Sequence, residues 1–367
     1  MVYRAIGLMS GSSLDGLDIA YVHLQEIAGK WSYELINAEC YPYSSEWKNR
    51  LKNATGLSAY EFQLLHAEYG HYLGQQVNRF IEGYNLHHQV AVVSSHGHTT
   101  FHFPERQLTS QLGDGAAIAA ETGLAVISDL RALDVALGGQ GAPIVPMGEK
   151  LLFSNYDLLL NLGGIANISC RYNDNYFAFD ICSANAILNR LAGENGLDYD
   201  EDGKLASQGE INMELLNELN DLGFYSKGFP KSLANSFALI EVLPLVEKYR
   251  LSVSDALRTY VEHIVIQVRQ SVKSLRDANQ LTLLYLKMLV TGGGAFNNFL
   301  AKRMQEILVE ENIIIEIPDA NVVKFKEALI MALLGVLRWR EEYTVLSSVT
   351  GAKKNSIGGA LWLGTDA

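Results

Sequence analysis

The sequence predicts an α/β protein built from two similar lobes, and three observations carry that expectation. At 367 residues the chain exceeds what one hydrophobic core usually serves, about 250–300 residues. A strand, a glycine turn, two more strands and a helix occur from residue 3 and again from residue 156, a weak internal duplication. Finally, apolar runs stop three times in turns of glycine and small polar residues, at Ile6–Ser13, Leu158–Ser169 and Leu283–Asn297.

Each element follows from local pattern. Tyr3–Leu8 and Leu17–Leu24 read as strands joined by the Gly16 turn, with Tyr33–Tyr41 as a third. From Ser58 to Tyr84, apolar and aromatic residues recur at helical spacing. Val90–Ser94 is a short buried strand, Gly113–Thr122 an Ala-rich helix, and Ala125–Ser128 another short strand. Leu133–Pro146 is rich in Gly and Pro, lacks periodicity, and is the expected crossing between lobes. Strands resume at Tyr156–Leu162, Ile168–Tyr172 and Tyr176–Asp180, and a helix starts over Ala184–Ala192. Helical patterns return at Ser254–Arg276, Asn297–Glu311 and Lys326–Glu341, and the tail Ser347–Leu363 is expected to fold back onto a lobe.

Composition narrows the class. Hydrophobic residues make up 48% and charged residues 19%, as in soluble globular proteins. With 29 basic against 41 acidic residues and a net charge of −12, the chain lacks the basic footprint of duplex nucleic-acid binders. Cys40, Cys170 and Cys182 form no metal spacing and no even disulfide set, which fits a reducing compartment. Neither a signal peptide nor an apolar run of membrane length is visible. The expectation is a soluble cytoplasmic protein with small-molecule ligands, no membrane partner, and a possible homodimer.

Candidate chemistry lies in five places. Glycine turns permit φ > 0 and close approach of a ligand, and their N–H groups form anion-binding nests. Three in one chain suggest a nucleotide held between two lobes. The first, Gly11–Asp18, reads as a phosphate loop with a carboxylate for Mg²⁺ through water, or as an ordinary hairpin turn. Ser95–His102 carries three histidines and reads as a polar ligand loop at a strand's carboxyl end, a metal site, or an exposed loop. Asp114 suits a helix cap, whereas Asp129 and Arg131 could grip hydroxyls or a carboxylate, or form a structural ion pair. Asp180 ends an apolar strand beside a helix start, as a general base or an N-cap would. Cys182 is a weaker nucleophile candidate, with no His near it in sequence. The run Gly292, Gly293 and Gly294 could lie flat against a base or ribose, or simply make a tight turn.

Taken together, these segments resemble the anhydro-N-acetylmuramic acid kinases, a branch of the superfamily of sugar kinases, Hsp70 and actin. G-L-M-S-G-S-S-L-D-G-L-D at Gly7–Asp18 and N-L-G-G-I-A-N-I-S at Asn161–Ser169 are the most specific motifs. The likeness runs nearly end to end. It implies two lobes of the actin-like ATPase, ribonuclease H-like type with a nucleotide cleft, and ATP and Mg²⁺ as cofactors. The implied reaction opens 1,6-anhydro-N-acetylmuramate with water and phosphorylates O6, a step in cell-wall sugar recycling. Another sugar or hydroxyl kinase of the superfamily, or a non-catalytic ATP-binding module, are the alternatives.

The resemblance also implies roles. Gly11, Ser12, Ser13, Leu14, Asp15, Gly16, Leu17 and Asp18 would hold the β/γ-phosphates, with Asp15 and Asp18 reaching the metal through water. Asn161, Gly163, Gly164 and Asn167 would form a second phosphate loop, and Gly292, Gly293 and Gly294 would lie against adenosine. Asp180 would be the base. Ser95, His96, Gly97, His98, Thr99, Asp129, Arg131 and Glu327 would contact the sugar. The expected division is an N-terminal lobe over 1–132, a C-terminal lobe over 133–346, and the tail 347–367. The chain departs from the family pattern at three points. It has Ser12 where Thr is usual, F-D-I-C-S for F-D-T-G-P around Asp180, and His98 where Gln is usual.

Overall fold

A computed structural model describes residues 1–11, 13–172, 175–229, 231–234, 236–278, 281 and 283–365. The strands among these are β1 (Val2–Ser10), β2 (Gly16–Ile27), β3 (Lys30–Pro42), β4 (Val92–Ser95), β5 (His98–Phe103), β6 (Leu108–Leu112) and β7 (Val126–Ser128). They continue with β8 (Leu158–Leu162), β9 (Ile165–Tyr172), β10 (Asn175–Ser183), β11 (Leu286–Thr291), β12 (Ile313–Glu316) and β13 (Ala360–Trp362). The chain forms two compact units, residues 1–154 with 325–367, and residues 155–324.

The two units repeat one topology. In the first the sheet order is β13-β7-β4-β1-β2-β3, and in the second β10-β9-β8-β11-β12. Without the edge strand β13, both read 3-2-1-4-5 in their own chain order. In both, the second strand is antiparallel to its neighbours and the remaining pairs are parallel. That is the ribonuclease H-like arrangement of the actin-like ATPases, present twice. The duplication seen in the strand pattern is therefore a repeat of fold.

Each sheet is closed by helices because its strands are apolar. In β8 four of five residues are buried, and the core around it includes the helix Val253–Asp277, with Leu257, Tyr260, Ile264 and Val268 fully buried. The first unit packs the helix Ala59–Gly83 through Tyr69, Leu73, Val77 and Phe80. Ser58 and Glu61 begin that helix with a reciprocal capping box. The helix Ala320–Trp339 presses so closely on β1 that a Cβ on Gly7 would overlap the Ala328 carbonyl oxygen. Gly335 lies close to Ser94 on β4 as well, where a Cβ would stand 2.5 Å from the serine Cβ.

Two expectations are corrected. Of the expected Ser95–His102 loop, His98–His102 is strand: His98 opens β5, which pairs antiparallel with β6. The unit boundary falls at 154/155 rather than 132/133, and the chain returns to the first unit at 325 rather than staying in the second to 346. The reason lies in the Gly/Pro-rich stretch, which is tied to the first unit. Buried Asp134 accepts hydrogen bonds from the Gly141 amide (2.8 Å) and the Thr350 hydroxyl (2.7 Å). Among the described residues no helix is long and apolar enough to cross a membrane.

Candidate functional site

In each sheet the chain turns back to one side after the first strand and resumes on the other side with the fourth. The carboxyl ends of those two neighbouring strands are where open α/β sheets collect ligands. Leu8 of β1 is in register with Ser95 of β4, which sets the Gly11–Asp18 hairpin beside the Ser95–His98 segment. Asn161 of β8 pairs with Thr291 of β11, which sets Gly163-Gly164 beside Gly292–Gly294. Three of those five places, together with the Asn161–Gly164 turn, thus gather in pairs, one pair in each unit.

In the first unit the hairpin turns through Leu14, whose φ is +58°. Ser13 and Asp15 are exposed at its tip, and Ser12 lies outside the described residues. Leu17 points into the hydrophobic core, so it can offer a ligand only its backbone. Gly16 admits no side chain: a Cβ would come within 2.6 Å of the Tyr41 carbonyl oxygen and 2.7 Å of Cys40 Sγ. Asp18 stands opposite Cys40 across β2 and β3. Burial, above all, lifts its pKa to about 6, and the Glu327 and Asp15 charges push the same way against the Cys40 hydrogen bond. Two residues not singled out in the sequence anchor the hairpin: the Tyr43 hydroxyl donates to Ser10 Oγ (2.8 Å), which stands 3.2 Å from His98 Nδ1.

The histidines have separate partners. His96 Nδ1 is 2.8 Å from the Gly97 carbonyl oxygen, and its Nε2 receives the Arg131 Nε–H at 2.9 Å. A carbonyl can only accept and a guanidinium can only donate, so His96 is neutral with its proton on Nδ1. Its pKa is accordingly depressed to about 3, by burial first and by Arg131 second. Arg131 Nη1 donates to the Gly141 carbonyl at 2.6 Å. Burial draws its pKa down to about 10, against the Glu327 and Asp134 charges. Burial likewise raises Glu327, against Lys326 and Arg131. Arg131, Glu327 and Asp18 thus form one electrostatic group. Asp129 is exposed, has a left-handed backbone (φ +57°), and accepts from the Ser128 hydroxyl at 2.6 Å. His102 is bonded to Thr109, Thr99 is exposed, and Asp114 caps its helix through Ala116 N–H. Among the described residues no cluster of three His, Cys, Asp or Glu is arranged around a metal position.

In the second unit three predicted residues share a row. Asn161 is in register with Asn167, and Asn167 with Asp180, so the three side chains lie on one face across β8, β9 and β10. Asp180 Oδ2 accepts from the Leu233 amide (2.8 Å) and the Ser232 hydroxyl (3.3 Å). Burial raises its pKa, and those two bonds pull it back. It caps no helix, because the helix Asn185–Gly193 has Ala184 at its N-cap position. The register then steps from Asp180–Asn167 to Cys182–Ala166, which leaves Ile181 as the extra residue of a β-bulge. Ile181 and Cys182 both enter the core, and burial drives the Cys182 thiol far above its usual range, which removes it as a nucleophile.

The two glycine turns are held by a residue the sequence did not single out. Asn185 Nδ2 donates to the Leu162 carbonyl (3.0 Å), and its backbone N–H to the Gly163 carbonyl (3.1 Å). The same side chain borders Gly293 and Gly294. Gly292, at φ +81°, has no room for a Cβ beside Asn161 and Leu162.

The profile of the family described as anhydro-N-acetylmuramic acid kinase matches residues 3–364. Proteins of that name are similar over nearly their whole length. The one from Haemophilus influenzae is 33% identical over 97% of both chains. The one from Sulfurimonas denitrificans is 31% identical over 97% of this chain and 98% of its own. Solved structures match more distantly: an activator of 2-hydroxyisocaproyl-CoA dehydratase from Clostridium difficile covers 92% of this chain and 96% of its own, at TM-score 0.43 and 16% identity.

Proposed function

The chain belongs to the anhydro-N-acetylmuramic acid kinase family, and on that premise we propose that it couples hydrolytic opening of a 1,6-anhydro amino sugar to ATP-dependent phosphorylation. Water adds to the anomeric carbon, the bond from that carbon to O6 breaks, and O6 takes the γ-phosphoryl group as ADP leaves. Asp180 takes the proton of the attacking water. The product is N-acetylmuramate 6-phosphate, and a cytoplasmic place in cell-wall sugar recycling fits it.

The observation that carries this reading is the state of Asp180. One carboxylate oxygen is fixed by Leu233 and Ser232, while burial raises its affinity for a proton. A positioned base of this kind contributes typically about 10²–10⁴-fold. Phosphoryl transfer itself needs alignment and charge neutralisation more than covalent help. By the family resemblance, Gly11–Asp18, Asn161–Asn167 and Gly292–Gly294 would supply backbone donors to the phosphates and adenosine of ATP. Asp15 and Asp18 would hold Mg²⁺ through water. The elevated proton affinity of Asp18 among neighbouring carboxylates suits a donor set completed by a divalent cation, whose charge would offset that of the phosphates. Arg131, with Nε and Nη1 already committed, presents Nη2 to a carboxylate or hydroxyl, and Glu327, Ser95–Thr99 and Asp129 complete the sugar contacts.

The decisive experiment follows ADP release from Mg-ATP with and without 1,6-anhydro-N-acetylmuramate, and weighs the product. Sugar-dependent ADP with a product heavier by one phosphate and one water is expected. A product heavier by phosphate alone would mean a simple hydroxyl kinase, and no stimulation by the sugar would sink the reading.

A further inference from the structure

Behind the strand that carries Asp180 is a small pocket of about 40 Å³ whose chemistry the proposed reaction does not use. By the roughly 10–15 Å³ that one water requires, it has space for a few waters or one tetrahedral anion. One wall is the helix Val253–Asp277, which turns Gln267, Gln270, Ser271 and Ser274 toward it. That spacing of three, four and seven residues places them on one helix face. The other wall brings Lys227 and Lys231, and among the described residues no carboxylate lines the space.

Those two lysines share one aromatic neighbour. Their ammonium groups gather over one ring, 5.9 Å and 4.7 Å from the centre of Phe224. The lysine–carboxylate pairs formed among the described residues belong to Lys204, Lys248, Lys273 and Lys326. Lys231 has the Phe224 carbonyl at 3.5 Å as a neutral partner. Burial and the Lys227 charge both lower its proton affinity. In a protein of net charge −12, two adjacent cations with no carboxylate partner among the described residues, facing hydroxyls and amides, make a positive cup that a dianion would complete.

We propose that this pocket binds a phosphate group, as inorganic phosphate or a phosphomonoester, and that its occupancy sets the position of Asp180. The link is short. The Lys231 carbonyl accepts the Asp180 backbone N–H at 3.0 Å, and the next two residues hold the Asp180 carboxylate. Phe179, just before Asp180, stacks on Phe229 at 5.2 Å with the rings 14° apart. Drawing Lys231 toward an anion therefore moves the segment that aims the carboxylate.

Calorimetric titration of the full chain with inorganic phosphate, and separately with methyl phosphate, tests the site without requiring turnover, so its failure is distinct from failure of the proposed activity. Wild type should bind, and Lys227→Ala, at an exposed position outside the Asp180 bonds, should bind at least about tenfold more weakly. Binding of inorganic phosphate alone assigns the free ion, and binding of both assigns the phosphomonoester class. At saturating ATP, phosphate should change kcat in wild type but not in Lys227→Ala, whose kcat without phosphate should equal that of wild type. Equal binding by the two proteins, or none by wild type, would overturn the site. A phosphate effect confined to KM for ATP would overturn the coupling.

Discussion

A carboxylate that takes a proton from water needs one oxygen held still and enough proton affinity to act near neutrality. Asp180 has both, through Leu233 and Ser232 and through burial. Asp180→Asn should keep the Leu233 bond and the fold, because an amide oxygen accepts as a carboxylate does. It should lose at least about 10²-fold in kcat, read by steady-state ADP release. Since burial raises the pKa, the proposed base is lost as pH falls through that value. Wild-type kcat should therefore decline on the acid side, and the Asn variant should lack that limb. Asp180 itself is legible in the sequence as a lone acid ending an apolar run. Its supports at 232–233 are not, because they lie far along the chain and reach it only through tertiary folding. The His96 tautomer is hidden for the same reason: it depends on Arg131, brought in by a different strand end.

At the scale of elements, the buried contact between the helices Val145–Leu152 and Ala320–Trp339 makes a sharp test. Lys326 Nζ and Glu149 Oε1 are 2.9 Å apart, with side-chain exposures of 4% and 6%. Removing one partner of such a pair leaves a charge stranded in low dielectric, at a cost of about 3–5 kcal/mol. Lys326→Met should lower unfolding free energy by that amount in denaturant titration, and adding Glu149→Leu should recover most of it. A single variant as stable as wild type would show that the pair carries no such weight. Elements with strong periodicity are legible. The helix found at Ala59–Gly83 follows from apolar spacing over 58–84, and the β1–β2 hairpin from its glycine turn. By contrast β5 is obscured by its polar and aromatic composition, H-T-T-F-H-F, and takes shape only by pairing with β6. The short helices Met213–Asn220 and Leu243–Lys248 are too brief for their periodicity to stand out.

Over the whole molecule, the repeated fold is visible in the sequence because strand, glycine turn and strand recur in one order. The boundary between units is not, because Gly and Pro mark irregular backbone without saying which core holds it. Asp134 decides that for residues 133–146, through partners as distant as Thr350. The C-terminal segment belongs to the first unit on energetic grounds as well. Leu329, Ile330, Met331, Leu333 and Leu334 are fully buried, each worth about 1.5–3 kcal/mol, together comparable to the stability of an entire domain, about 5–15 kcal/mol. A chain ending at Lys324 should therefore leave residues 1–154 open to limited proteolysis. A protease-resistant 1–154 fragment in that truncated chain would contradict this account.

The closeness of Gly7 to the Ala328 carbonyl has a further consequence during synthesis. Strand β1 must wait for the helix Ala320–Trp339, far along the chain, before that face is covered. Residues 155–324, whose strands and helices are contiguous in the chain, can fold in the meantime. The nascent protein thus carries an uncovered apolar sheet for most of its translation. Its yield in a cell then depends on how well that sheet is shielded until the helix Ala320–Trp339 arrives.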